Sequence, residues 1–244
     1  LFLARKEYIK FLSSLLGMIL ASFNAGFLIY VFVFLFTLPF IYSDKSILRI
    51  YIIFFVCMTL FALINMENIK YSIRIIKPLF EFKQPGKITS FVETYKYLTS
   101  GFKEFMFGAG VGEFSSRTAF AAGGDYVSWY PSALVYKSQF FNQNHFQLWN
   151  SEILSIPFND GTANQPFSFY NQIFGEYGFI GFICFLFLYI IPFFKKTRYN
   201  RFKVLVILFM LGYFIFDYYF EYLSIVPIFE LFVFLPDNIY TKGR

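Results

Sequence analysis

Apolar runs that approach the thickness of a bilayer are the strongest constraint on the fold of this chain. A helix that crosses a membrane needs about 20 mostly apolar residues, because lipid offers its backbone no hydrogen-bond partner. Hydrophobic residues make up 57% of the chain and charged ones only 15%, which departs from the soluble norm. We therefore predict an all-α integral membrane protein with about six transmembrane helices. The candidate spans are residues 11–21, 27–42, 50–64, 172–194, 204–220 and 223–234.

A polar region interrupts the spans at residues 65–170, and it is too long for a simple connector. Long loops of this kind carry function, so we expect the functional part of the protein here. The predicted organisation is three spans in residues 1–64, this large loop, and three further spans with a tail in residues 171–244. Because the chain begins with Leu1, we also expect it to be the C-terminal part of a larger membrane protein or a truncated one.

Basic residues set the predicted orientation in the membrane. The segment KKTRYNRFK at 195–203 has five basic residues and no acidic one, which is typical of the cytoplasmic side. Alternation of the spans then places the long loop outside. The net charge of +6 does not indicate nucleic-acid binding, since the basic residues cluster at helix ends. Cys57 and Cys184 lie in apolar runs, so we expect neither a disulfide nor a metal site, and we predict no cofactor.

An amphipathic helix is predicted after the turn at Pro85 and Gly86. The apolar residues of this segment follow helical spacing, with charged residues between them. Two interpretations remain open: a helix that lies on the membrane surface, or a helix packed inside a small extramembrane domain. The apolar positions are Ile88, Phe91, Val92, Tyr95, Leu98, Phe102 and Phe105.

The segment FGAGVGEFSSR at 107–117 is the first candidate for binding chemistry. Gly110 and Gly112 could expose backbone amides to an anion, and Arg117 supplies a charged fork that suits a diphosphate. Lys103 or Lys137 could supply a second cation. The alternatives are a flexible turn and a solvated arginine, because neither a preceding strand nor a P-loop lysine accompanies the glycines.

Two residues are candidates for accepting a proton. His145 is the single histidine of the chain, and Glu176 is predicted in the first turn of the fourth span. An ordinary loop histidine and a carboxylate that caps loop amides are the competing interpretations. Trp129, Tyr130 and Trp149 could stack on sugar rings, although such aromatic residues also populate membrane interfaces.

The glycine and arginine element, followed by NQPFSFYNQIFGEYGFIG at 164–181, resembles the O-antigen polymerase and ligase superfamily. The resemblance covers residues 21–234 and rests on Gly110, Gly112 and Arg117 together with the ExGxxG ending that starts at Glu176. It implies a multi-pass protein of the bacterial inner membrane with one long, partly helical periplasmic loop. The implied reaction is glycosyl transfer from a glycan on undecaprenyl diphosphate, without metal or nucleotide sugar.

One departure from the family favours a polymerase over a ligase. The ligase branch usually has a His-Asn pair nine residues before the glutamate, and here those positions hold Phe167 and Ser168. The expected partners are undecaprenyl-diphosphate-linked oligosaccharide, membrane lipid, a chain-length regulator and a flippase. The alternatives are an O-antigen ligase, a flippase of lipid-linked sugars and a non-catalytic membrane partner. A flippase would carry ionisable residues in several spans, whereas Asp217 is the main one predicted well inside a span.

Overall fold

The computed structural model describes residues 86–123, 132–156, 164–197, 201–222 and 225–235, with scattered positions between 9 and 70. All regular structure in these residues is helical, and no strand occurs among them. The first two predicted spans lie almost entirely outside the described residues, and the third is described only at scattered helical positions. The chain divides into two compact units, of which the second comprises Arg74–Pro192 and Phe214–Val226. This second unit contains the candidate site.

The helices that follow residue 85 are mostly short until the long helix near residue 170. The α-helices are α1 Gly86–Leu98, α2 Phe102–Phe107, α3 Arg117–Ala122, α4 Gln139–Asn144, α5 Ser151–Ser155, α6 Phe169–Phe185, α7 Ile191–Thr197, α8 Arg201–Phe216 and α9 Val226–Phe234. A π-helix at Leu186–Ile190 joins α6 to α7. Three 3₁₀ turns lie at Ser132–Leu134, Phe146–Leu148 and Tyr219–Glu221.

The helical stretch Phe169–Thr197, which is kinked at Gly178, is long and apolar enough to cross a membrane. It comprises α6, the π-helix and α7, and it spans the predicted fourth run with three more residues at each end. Its lipid-compatible surface is exposed, since Phe187 and Leu188 are 58% and 78% accessible. This helix supports membrane association, whereas six spans are not observed among the described residues.

The predicted fifth and sixth spans are shorter in the structure. The helix α8 ends at Phe216, and its apolar part, Lys203–Phe216, is too short to count as a full span. Asp217 therefore lies beyond the end of the helix instead of well inside a span. The helix α9 has nine residues. The fifth prediction was wrong at its C-terminal end because a bend at Asp217 and a 3₁₀ turn interrupt the apolar run.

The helix α1 buries its polar side. The buried residues Lys87, Ser90, Thr94 and Tyr97 follow helical spacing, and Ser90 and Thr94 contact Asn171 in the N-terminal part of α6. Asn171 donates to the Ser90 hydroxyl at 2.7 Å and accepts from the Thr94 hydroxyl at 3.2 Å. Each of these buried polar groups is thus satisfied, as burial requires. The predicted amphipathic segment is two helices, because Thr99 to Gly101 separate α1 from α2.

Aromatic rings fill the core between the short helices. One cluster of buried side chains joins α3, α4 and the segment before α6, and the rings meet edge to face as aromatic pairs prefer. Its members are Ala119, Phe120, Phe141, Phe146, Trp149, Phe167 and Tyr218. A second group of rings surrounds Phe169 at the start of α6, with centroids 4.7 to 4.9 Å from its own.

The glycine-rich loop interlocks with α6 through the backbone. The amides of Ala109 and Gly110 donate to the carbonyls of Gly175 and Glu176 at 2.8 and 3.0 Å. Gly108 and Gly178 both have positive φ angles, 70° and 63°. A Cβ atom on Gly178 would lie 2.6 Å from the Gly108 nitrogen and from the Met106 carbonyl. Only glycine permits this close approach, so the two sequence elements depend on each other's glycines.

Replacing Gly178 by alanine should destabilise the second unit. The cost combines an unfavourable φ with a clash against main-chain atoms that cannot move aside, and we expect about 3 kcal/mol or more. Gly101→Ala is the matched control, because Gly101 has an extended φ of −169° and its Cβ would meet only the flexible Glu104 carboxylate. Thermal unfolding in detergent would measure both variants. Equal melting temperatures for the two would contradict the interlock.

Candidate functional site

The four residues from Phe114 to Arg117 each make different contacts. Phe114 is fully buried and fills the space that the missing Cβ of Gly175 leaves open. Ser115 donates its amide to Glu176 Oε1 at 3.1 Å, and its hydroxyl lies 3.0 Å from the Tyr218 hydroxyl. Ser116 caps α3 by accepting from the Ala119 amide. Arg117 is consequently the first residue of α3, with an exposed side chain.

Arg117 borders a small recess, which we call the Arg117 recess. Its lining is mostly aromatic, but it also contains a carboxylate. The guanidinium carbon lies 4.7 Å from the centre of the Tyr222 ring, a cation–π distance that holds the side chain over the recess. The residues that line it are Arg117, Phe120, Phe167, Asp217, Tyr218 and Tyr222.

Asp217 places a half-buried carboxylate in the recess. Its Oδ1 accepts from the Tyr218 amide at 2.7 Å, and its Oδ2 accepts from the Tyr222 hydroxyl at 3.4 Å. The Asp217 carbonyl also accepts from the Phe169 amide, which ties this segment to the start of α6. A cation and a carboxylate therefore lie beside each other in the lining of one small aromatic recess.

Lys87 connects two segments that border the recess. It is 8% exposed and donates to the carbonyls of Phe167 and Phe216, so it joins the segment before α6 to the end of α8. Burial lowers the pKa of Lys87 to about 7, while the nearby Asp217 charge opposes that shift. Sequence analysis missed Lys87 and Asp217 as site residues. The polar stripe of α1 and a lone carboxylate in an apolar run were the available signals.

Glu176 lies behind the recess and not in its lining. The side chain is 1% exposed; Oε1 accepts from Ser115, and Oε2 has no hydrogen-bond partner among the described residues. The Gly112 amide and the Ser116 hydroxyl lie near this carboxylate. The Gly112 amide thus lies near an internal carboxyl group, that of Glu176. The Gly110 amide is also paired within the protein, with the Glu176 carbonyl.

The other predicted ligand-binding residues lie apart from the recess or outside the described residues. Lys103 is exposed on α2, and the Lys137 ammonium lies 3.5 Å from the centre of the Phe146 ring. Neither lysine lines the recess in the described part of the chain. Trp129 and Tyr130 fall outside the described residues. Trp149 is 7% exposed in the aromatic core, so the expectation of an exposed stacking surface was wrong for this residue.

The positions that depart from the ligase pattern lie at the recess. Phe167 lines it and also contacts Phe120, Trp149 and Tyr218 through its ring. Ser168 is buried, caps α6 and donates to the Phe214 carbonyl. The position that holds a histidine in the ligase pattern thus holds an aromatic ring that cannot accept a proton.

His145 is enclosed by the core. It is fully buried, its ring meets Phe114 edge to face at 4.7 Å, and neither ring nitrogen has a hydrogen-bond partner among the described residues. Burial lowers the pKa of His145 to about 3, which keeps the imidazole neutral. The His145 side chain does not line the Arg117 recess.

His145 should make the fold sensitive to acid. Its folded pKa of about 3 lies below the ordinary 6.5, so the unfolded chain takes up a proton first as the pH falls. The neutral imidazole contributes fully above the ordinary pKa, and its contribution is lost progressively as the pH falls from 6.5 towards 3. The loss relative to His145→Phe should be on the order of 2 kcal/mol near pH 4.5.

Unfolding of the wild type and of His145→Phe at about pH 7 and pH 4.5 tests this expectation. Carboxylates titrate in both proteins, so their effect cancels in the comparison. The same loss of stability in both proteins would contradict it.

Comparisons with protein-family models, with curated proteins and with solved structures found no match to this chain.

Proposed function

We propose that this protein is a membrane glycosyltransferase of the O-antigen polymerase kind. It transfers a glycan from undecaprenyl diphosphate to a sugar hydroxyl of the next lipid-linked repeat unit, on the periplasmic face of the bacterial inner membrane. One observation carries the proposal: the two sequence elements that resemble the family interlock at Gly108 and Gly178, and together they present Arg117 in a recess. That recess lies in the unit that also contains the start of the candidate membrane helix.

The transfer breaks one bond and forms another. The bond between the anomeric carbon and the diphosphate oxygen breaks, and the diphosphate leaves with the electron pair. The acceptor hydroxyl oxygen bonds to the anomeric carbon and gives up its proton. Arg117 suits the first half, because a guanidinium fork binds two phosphate oxygens and stabilises the charge that develops on the leaving group.

Asp217 suits the second half of the reaction. Its carboxylate lines the same recess as Arg117 and is half-buried, so an acceptor hydroxyl bound there can give it a proton. Glu176 is almost fully buried behind Ser115 and Tyr218. We therefore assign Glu176 a positioning role: its carboxylate holds the Ser115 amide and, through Ser116, the start of α3 where Arg117 stands.

The aromatic lining favours a polymerase over a ligase. Phe167 occupies the recess at the position that the family resemblance gives to a ligase histidine, and no imidazole lines the recess in the described residues. The two activities differ in their null phenotypes. Loss of a polymerase leaves single repeat units on the acceptor, whereas loss of a ligase leaves none.

Arg117→Ala should reduce polymerisation roughly 100-fold, because one charged donor to the leaving group is lost. The assay is chain extension of undecaprenyl-diphosphate-linked repeat units by the purified protein in liposomes, with products separated by length. Lys103→Ala is the control, since Lys103 is also an exposed cation but does not line the recess. Wild-type chain lengths with Arg117→Ala at equal protein level would overturn the diphosphate role.

Asp217→Asn should lower the turnover rate about 100-fold or more, because asparagine keeps the size of the side chain but cannot accept the proton. Glu176→Gln is the informative partner, since glutamine can still accept from the Ser115 amide, and we expect a much smaller loss. Turnover at saturating acceptor would be compared in the same liposome assay. The reverse order of losses would return the proton-accepting role to Glu176.

A further inference from the structure

The helices α1 and α2 expose an apolar surface, which the described part of the chain leaves uncovered. Tyr95 is 68% exposed and Phe102 78%, and Ile88, Phe105 and Phe107 are also exposed. The opposite side of α1 is polar and buried against α6. A helix of a water-soluble domain has the reverse arrangement, with its apolar stripe towards the core. The outward side of this helix pair would therefore be more stable in contact with an apolar or interfacial solvent than with water.

This surface continues onto the candidate membrane helix. The Phe105 ring of α2 stacks on the Phe179 ring of α6 at 5.3 Å, and both α1 and α2 pack against α6. Phe179 and Ile180 are exposed on the same long helix whose C-terminal part carries the exposed Phe187 and Leu188. The apolar face of α2 is thus joined directly to the side chains that lipid would surround.

The length of the long helix sets the depth of this junction. Gly178 interrupts the helical geometry, so the uninterrupted part runs from Phe179 to Thr197; at about 1.5 Å per residue it spans roughly 28 Å, which matches the hydrocarbon core of a bilayer. Lys195 and Lys196 mark one end. Phe179 begins the uninterrupted part at the other end, and this position brings the Phe105 ring that stacks on it to the boundary between headgroups and acyl chains.

We propose that α1 and α2 lie in the interfacial layer of the bilayer, with phospholipid covering Tyr95, Phe102 and Phe105. The residue types fit that layer: the tyrosine has an apolar ring with a polar tip, and the phenylalanines reach the upper acyl carbons. Lys96 and Lys103 are exposed on the same helices, where they can contact anionic headgroups. The proposal does not depend on the reaction that the protein catalyses.

The arrangement has a consequence for the Arg117 recess, and this consequence does rest on the proposed function. Lys87 and Ser90 on the buried side of α1 bind the carbonyls of Phe167 and Pro166, next to the recess. A helix held at headgroup level therefore holds this recess near the same level. The diphosphate of a lipid-linked donor lies at that depth, so the donor can reach Arg117 without leaving the bilayer.

Nitroxide labels test the location of the two helices. Single cysteines replace Tyr95 or Phe102 in a background with Cys57→Ser and Cys184→Ser, and the full chain is placed in liposomes of phosphatidylcholine and phosphatidylglycerol. Power saturation compares the access of oxygen, which concentrates in lipid, with that of a water-soluble nickel chelate. Asn142→Cys is the control, because Asn142 is an exposed polar residue on α4. Both test positions are highly exposed, so the label should not disturb the core.

We expect the ratio of oxygen to nickel access to be several-fold higher at positions 95 and 102 than at position 142. A ratio equal to that of the control would place the helices in water and overturn the proposal. Low access to both reagents would mean that protein covers the face, and it would overturn the proposal equally. None of these outcomes depends on glycosyltransferase activity, which the liposome assay measures separately.

Discussion

The backbone contact between the glycine-rich loop and α6 is the constraint on which the candidate site depends. The amides of Ala109 and Gly110 reach the carbonyls of Gly175 and Glu176 because neither Gly108 nor Gly178 has a side chain. This contact fixes where the chain enters the Phe114 to Arg117 segment. Phe114 then fills the space beside Gly175, and Ser116 starts the helix that carries Arg117. The position of the exposed cation thus follows from glycines that lie several residues away.

Polar groups, and not only aromatic rings, hold the unit together. Lys87 donates to two carbonyls, and Ser90, Thr94 and Asn171 satisfy one another between α1 and α6. Buried hydrogen bonds of this kind specify one arrangement of two helices, because any slip would leave several groups unpaired. They also explain why the apolar side of α1 faces outward.

The sequence correctly indicated helical structure and one long apolar helix near residues 172–194, since helical periodicity and hydrophobicity are local properties. The sequence motifs also identified the two segments, residues 107–117 and 164–181, that the structure brings together. The sequence could not indicate that Glu176 would be buried behind Ser115, or that Trp149 and His145 would join the core. Burial depends on contacts between segments far apart in the chain, and a single sequence carries no direct record of them. Asp217 was placed inside a span for the same reason: hydrophobicity alone does not show where a helix bends.

By itself, the sequence determined the apolar composition of this protein and the positions of its glycines. The composition supports membrane association through one helix that is long and apolar enough to cross a bilayer, and the glycines mark the positions where main chains can meet. Only the tertiary structure decided which charged groups share a pocket. Arg117 and Asp217 are 100 positions apart in the numbering, yet they line one recess because α3 and the segment that follows α8 pack around the same aromatic cluster. Side chains in a folded protein meet through packing, and packing is a property of the whole unit.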